Sequence, residues 1–95
     1  MNNKYVTIQE YSNPALVLQR AEDLFGSAML KLSTRKNKKY MIYLNNHWIH
    51  FGEMYYEDYT KHLDEERREA FRTRNANWVN KPYDSPAFLS ITLLW

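Results

Sequence analysis

The chain has 95 residues, no cysteine and a net charge of +2. That length makes one domain, and the missing cysteine excludes a disulfide framework, a thiol nucleophile and a cysteine-based zinc site. With 44% hydrophobic and 16% aromatic residues, a modest core built on large rings is within reach. No apolar run approaches the ~18 residues of a membrane span, and the N-terminal residues lack the basic-then-apolar pattern of a secretory leader, so the chain is expected not to be secreted.

Tyr5 to Tyr11 alternates, with Val6 and Ile8 on one side, and reads as a first strand. Asn13 followed by Pro14 is a helix start, because proline at the first helical position gives up an N–H that has no partner anyway. That helix is expected to run to Phe25, with Val17, Ala21, Leu24 and Phe25 buried, Leu18 at the edge, and Gly26 as a left-handed C-cap. Ala28, Leu30 and Leu32 alternate with Met29, Lys31 and Ser33 as a second strand. Lys36-Asn37-Lys38 is a turn, and Lys39 to Leu44 a third strand. Asn45-Asn46 makes a two-residue hairpin loop, since asparagine tolerates the positive φ of a type I′ turn, and His47 to Phe51 is the returning strand.

The loop sets a register. Leu44 faces His47, Tyr43 faces Trp48, Ile42 faces Ile49, Met41 faces His50 and Tyr40 faces Phe51. Tyr40, Ile42, Leu44, Ile49 and Phe51 share one apolar face, and Met41, Tyr43, Trp48 and His50 share the other. Both carry large side chains, so either helices cover both or the second is a contact surface. Gly52 ends the strand.

Asp58 and Thr60 suit the cap of a short helical turn. Asp64 is the N-cap of a charged helix, with acids in its first turn and Arg72 and Arg74 in its last, as the helix dipole prefers. Asp64–Arg68 and Glu69–Arg72 are candidate ion pairs. Leu63, Ala70, Phe71 and Trp78 form a narrow seam, with Phe71 docking on the sheet. Trp78 to Pro82 reads as a loop. Ser85-Pro86 repeats the helix-start signal, and Ala87 to Trp95 reads as a short helix with Ile91, Leu94 and Trp95 inward, with strand as the alternative. The fold class expected is α+β: a small antiparallel sheet of hairpin or meander type with about three helices packed on it, in a single domain over 1–95.

Charge is unevenly placed. No acid lies between Asp23 and Glu53, while Lys31, Arg35, Lys36, Lys38 and Lys39 fall in that gap. One reading is a solvated hairpin whose lysines keep an edge strand from pairing with other chains. The other is a nucleic-acid site of Arg35, Lys36, Lys38 and Lys39 contacting phosphates, with Tyr43 and Trp48 stacking bases. His47 and His50 fall on opposite strand faces, which argues against a shared metal. His50 and His62 are expected to be partly buried and hydrogen-bonded. The carboxylates of the charged helix are flanked by arginines, so nothing raises their pKa as a general acid requires. There is no nucleophile elbow and no glycine-rich phosphate loop. The reading is therefore no enzyme, no cofactor, no metal and no small-molecule substrate.

The segments STRKNKKYMIY (Ser33 to Tyr43), HFGEMYYEDYTKHLDEERR (His50 to Arg68) and SPAFLSITLLW (Ser85 to Trp95), taken in order, resemble a family of short uncharacterised proteins of nucleocytoplasmic large DNA viruses, among the iridovirus, marseillevirus, mimivirus and algal-virus groups. Leu63 stands where that family usually has lysine, and Met54 and Tyr55 fill a space where it usually has glycine. Residues 1–32 lie outside the resemblance. It implies a viral origin, a virion or infected-cell location such as the cytoplasm or virus factory, and a structural or interaction role as a small capsid-associated component. Met41, Tyr43, Trp48 and His50 are the candidate protein contact, and the nucleic-acid site is the alternative. No activity is established for the family, so no catalytic residue is carried over.

Overall fold

Asn45 and Asn46 set the centre of the fold. In a computed structural model, which describes residues 3–27 and 29–95, both take positive φ, 52° and 69°. That is the type I′ turn, whose twist matches that of the strands it joins. β2 (Lys38–Leu44) and β3 (His47–Glu53) pair in the register the loop dictates, from Leu44 opposite His47 to Tyr40 opposite Phe51. β1 (Leu30–Leu32) pairs with the other side of β2, with Leu30 opposite Ile42, so β2 is the central strand. Ala28, expected in that strand, lies outside the described residues. Tyr40, Ile42, Ile49 and Phe51 are buried and meet Ile8, Val17, Ala21, Met54, Leu89, Leu93 and Leu94 in one core.

The N-terminal strand is a helix instead. Residues Asn3–Ile8 form α1. A strand would send Val6 and Ile8 to one face, whereas the helix buries Ile8 completely and leaves Val6 61% exposed. Lys4, one turn before Ile8, reaches the carbonyls of Ser33, Arg35 and Lys38 at 2.7, 2.7 and 2.6 Å. Those contacts and the burial of Ile8 override a short period-two pattern, as tertiary context does.

α2 (Pro14–Phe25) starts as expected, with the Asn13 side chain accepting from the Leu16 N–H. Its buried stripe is narrower than expected: Val17 and Ala21 are buried, but Leu24 is exposed. Gly26 has φ 77° but ψ −136°, outside the left-handed helical region.

After β3, Asp58 caps the single turn α3 (Tyr59–His62) and Asp64 caps α4 (Glu65–Arg74), accepting from Glu66 and Arg67 at 3.0 and 3.2 Å. Leu63 leaves the expected seam, because it is the exposed left-handed residue between the two helices. α4 buries no residue completely. Phe71 does not dock on the sheet; it stacks on Trp95 with ring centres 4.0 Å apart and planes 4° from parallel, and meets Trp78 edge-on. Nor do the two expected ion pairs form. Arg68 donates to the Trp95 carbonyl at 2.6 Å and lies 3.7 Å from Glu65, and Arg72 donates to the Ile91 carbonyl at 2.9 Å. Carbonyls in the last turn of a helix lack intrahelical partners, and the guanidiniums take that place.

A 3₁₀ turn (Ala76–Asn80) stands where a loop was expected. Ser85 caps α5 (Pro86–Leu89), which continues through a π-turn (Ser90–Leu94), so the C-terminal segment is helical and not a strand. Ile91, Leu93 and Leu94 are buried there. The fold is α+β, with five short α-helices among the described residues. No helix among them is long and apolar enough to cross a membrane.

Candidate functional site

Lys39 does not belong to a basic loop. It lies on the central strand, 2% exposed, with its ammonium 3.0 Å from Asp58 Oδ2 and donating also to the Tyr56 carbonyl. Asp58 Oδ1 accepts from the Thr60 N–H at 3.0 Å and from the Thr60 hydroxyl. Thr60 Oγ1 accepts from the Asn13 N–H at 3.0 Å and lies 3.2 Å from Ser12 Oγ, which accepts from the Tyr40 hydroxyl at 2.7 Å. Burial pulls the Lys39 pKa down, and Asp58 opposes the shift. Burial likewise pushes the Tyr40 phenol up. A buried charge survives when it is paired and hydrogen-bonded, and this network supplies both. It leaves Lys39 unable to reach a phosphate.

The rest of the basic run is divided. Lys38 is held by Glu53 at 2.7 Å, while Arg35 and Lys36 are exposed. Because Lys38 and Lys39 sit on the central strand, they do not guard an edge. Lys31, on β1, is the one that does. Tyr43 and Trp48 are five residues along β2–β3 from Lys38, roughly 17 Å at the strand rise, so the stacking pair and the basic turn sit at opposite ends of the strand.

On the outer face of the hairpin the rings of Tyr43 and Trp48 meet at 5.4 Å, with the Lys31 ammonium 5.6 Å from the Trp48 ring centre. Tyr43 is exposed, and Met41, Trp48 and His50 are half-buried. His50 Nδ1 lies 2.6 Å from Ser33 Oγ. Burial, with Arg35 and Lys4 nearby, lowers the His50 pKa. Met41, Tyr43, Trp48 and His50 are thus brought together on one half-buried face. Among the described residues, no three acidic or histidine side chains converge as a metal would need.

Two features were missed in the sequence. The first is a cleft of about 350 Å³ between the end of β3 and α5, walled by Phe71, Trp78, Pro86, Leu94 and Trp95 and floored by Gly52. Gly52 has φ 83°, and a Cβ there would fall 2.8 Å from Leu94 Cδ1, so only glycine keeps this floor. The charges at the rim are answered within the chain: Lys38 by Glu53, and Glu57 by Arg67 at 2.9 Å. The Arg67 hydrogen bond holds the Glu57 carboxyl below its usual range. Phe71, Trp78 and Trp95 are scattered along the chain, so Gly52 was the one local signal.

The second is the free edge of β3. Tyr43 N–H donates to the Met29 carbonyl and Ser33 N–H to the Lys39 carbonyl, so odd-numbered residues of β2 bond to β1. Even-numbered residues of β2 therefore bond to 47, 49, 51 and 53 of β3. Trp48 and His50 turn their main-chain groups outward, where no strand lies among the described residues, and Gly52, at φ 83°, leaves the regular ladder.

A family model described as a family of unknown function (DUF5754) matches residues 28–75, just over half of the chain. The matched span covers the sheet, α3 and α4. No curated protein and no solved structure matches the chain.

Proposed function

The chain belongs to this family of unknown function, and we propose that it is a non-enzymatic interaction protein of a large DNA virus, a small virion or capsid-associated component. The observation that carries the interaction reading is the outer face of the hairpin. Tyr43 is exposed and Trp48 half-buried there, beside an edge of β3 that no strand covers among the described residues. Large rings of this kind supply contact area at little entropic cost, which is why they recur at interfaces. The non-enzymatic reading is supported by what the titratable groups do: the one buried ion pair among the described residues is sealed in the core, and the acids of α4 are exposed. The viral reading rests on the resemblance of Ser33 to Trp95 to small proteins of these viruses.

Mass spectrometry of purified particles tests it. The chain is expected as a reproducible, stoichiometric component, and its absence from particles overturns the virion reading.

One observation favours the alternative of nucleic-acid binding: Lys31 lies against Trp48, a cation beside a ring that can stack a base. Arg35 and Lys36 are the exposed cations that remain for phosphate.

A further inference from the structure

An arginine drawn partly out of water is normally compensated by an acid. Arg67 and Arg68 have theirs, in Glu57 and Glu65. Arg20 on α2 and Arg72 on α4 do not: both are half-buried, and neither has a carboxylate partner among the described residues. Each donates instead to a main-chain carbonyl of the π-turn, Arg20 to Leu93 at 3.2 Å and Arg72 to Ile91 at 2.9 Å, while Arg68 donates to Trp95 at 2.6 Å. We propose that Arg20, Arg68 and Arg72 together bind a terminal phosphate group, one with three free oxygens, at the end of the π-turn. The site draws on α2 and α4 and does not rest on the reading of the hairpin.

The charge gathered here is of one sign. The three guanidiniums sit on carbonyls of a single turn. Burial, with Arg68 and Arg72 nearby, pulls the Arg20 pKa down; Asp58 opposes the shift but is already committed to Lys39. The carbonyls at a helix end carry only about half an elementary charge between them, so they do not neutralise the cluster. Like charges held together cost stability, and such clusters are characteristic of sites that take the opposite charge. Donors also remain. A guanidinium is a planar fork of N–H groups, and one carbonyl leaves most of the fork unspent for an oxyanion. Arg68 is held in place by the Tyr59 ring, 4.7 Å from its guanidinium carbon. Arg68 and Arg72 line an open depression along α4 together with Thr73, whose hydroxyl is a further donor. Glu65 and Glu69 line it too. Glu65 is engaged by the Tyr59 hydroxyl and by Arg68, and Glu69 is exposed, where water and salt screen it. A carboxylate fills a single fork with its two oxygens, whereas a terminal phosphate offers one oxygen to each guanidinium.

The test is a titration of the isotopically labelled chain with inorganic phosphate at constant ionic strength, read at the arginine Nε–H resonances by NMR. Arg20, Arg68 and Arg72 are expected to shift together and to saturate, while the exposed Arg35 and Arg74 do not. Dimethyl phosphate has two free oxygens and stands for the diester of a nucleic-acid backbone. It is expected to bind about tenfold more weakly, for want of one charge-assisted contact. Arg20→Gln and Arg72→Gln are each expected to lose about tenfold or more in phosphate affinity. Arg72→Lys keeps the charge and a donor for the Ile91 carbonyl but loses the fork, so it is expected to weaken binding with its circular dichroism unchanged. If the glutamine variants fail to fold, the wild-type titration and Arg72→Lys decide. Shifts that are uniform over all the arginines and do not saturate overturn the proposal, as does the absence of a shift at Arg20 and Arg72. Dimethyl phosphate binding as tightly as inorganic phosphate overturns the assignment of a terminal phosphate.

Discussion

The ammonium of Lys39 lies 3.0 Å from the carboxylate of Asp58, and both side chains are 2% exposed. Lys39 comes from the central strand and Asp58 from the cap of α3, so the pair ties the sheet to the segment that leads into α4. Removing one partner strands the other without compensation, a loss of roughly 3–5 kcal/mol. Asp58→Asn and Lys39→Met are each expected to lose that much in urea unfolding. The double replacement is expected to lose clearly less than the sum, because neither charge is then left alone. Simple additivity would mean that the two groups act independently.

Phe71 holds α4 through Trp95 and not through the sheet. It is half-buried, so Phe71→Ala is expected to cost about 2 kcal/mol, below the ~3–5 kcal/mol of a fully buried phenylalanine. A double-mutant cycle with Trp95→Ala is expected to return a coupling of about 0.5–1.5 kcal/mol for the stacked pair. A coupling near zero would place the anchor of α4 elsewhere.

Two histidines make the fold sensitive to acid. Burial and the nearby Arg35 and Lys4 lower the His50 pKa from 6.5. Burial and Arg67 lower that of His62. His62 Nδ1 accepts from the Asp64 N–H, a bond lost when that nitrogen is protonated. Below 6.5 the unfolded chain binds more protons than the folded one, so stability rises with pH there. The contribution of both groups is complete above the unfolded value and is lost as pH falls through the lower folded values. Urea midpoints are expected to be flat from pH 8 to about 6.5 and to fall below it. A His50→Asn, His62→Asn chain is expected to show a shallower fall over the same range, and an unchanged fall would assign it to other groups.

The hairpin was the most legible part of the chain, because a two-residue asparagine loop admits one turn type and one register, and both follow from local geometry. The capping residues Asn13, Asp58, Asp64 and Ser85 were legible for the same reason: each acts on amides two or three residues away. What was lost depended on contacts distant in sequence. The pattern of Tyr5 to Tyr11 carries no sign that Lys4 will meet carbonyls near residue 35. Lys39 looks like one more lysine in a basic run until Asp58, nineteen residues on, is seen to enclose it. The register puts Met41, Tyr43, Trp48 and His50 on one face of the hairpin, as the loop dictates, while the cleft needs Phe71, Trp78 and Trp95 assembled in space.

The nucleic-acid alternative makes a separate prediction. With Lys39 buried and Lys38 paired, Arg35 and Lys36 are the phosphate contacts left at the turn. If the turn binds duplex DNA, Arg35→Ala with Lys36→Ala is expected to flatten the slope of log affinity against log salt by about 1.8 units. Trp48→Ala would weaken single-strand binding by about 1–3 kcal/mol with the slope unchanged. Indistinguishable slopes for wild type and the double variant would remove this reading, and that is the outcome the account expects.

Amide hydrogen exchange along β3 tests most directly whether its outer edge is the interaction surface. In dilute protein the account predicts an alternation: slow exchange at Ile49 and Phe51, which bond to β2, and fast exchange at Trp48 and His50, which face outward. In the assembled particle Trp48 and His50 are predicted to slow while Ile49 and Phe51 stay protected. Protection of Trp48 and His50 already in dilute protein, or no change in them on assembly, would contradict the account.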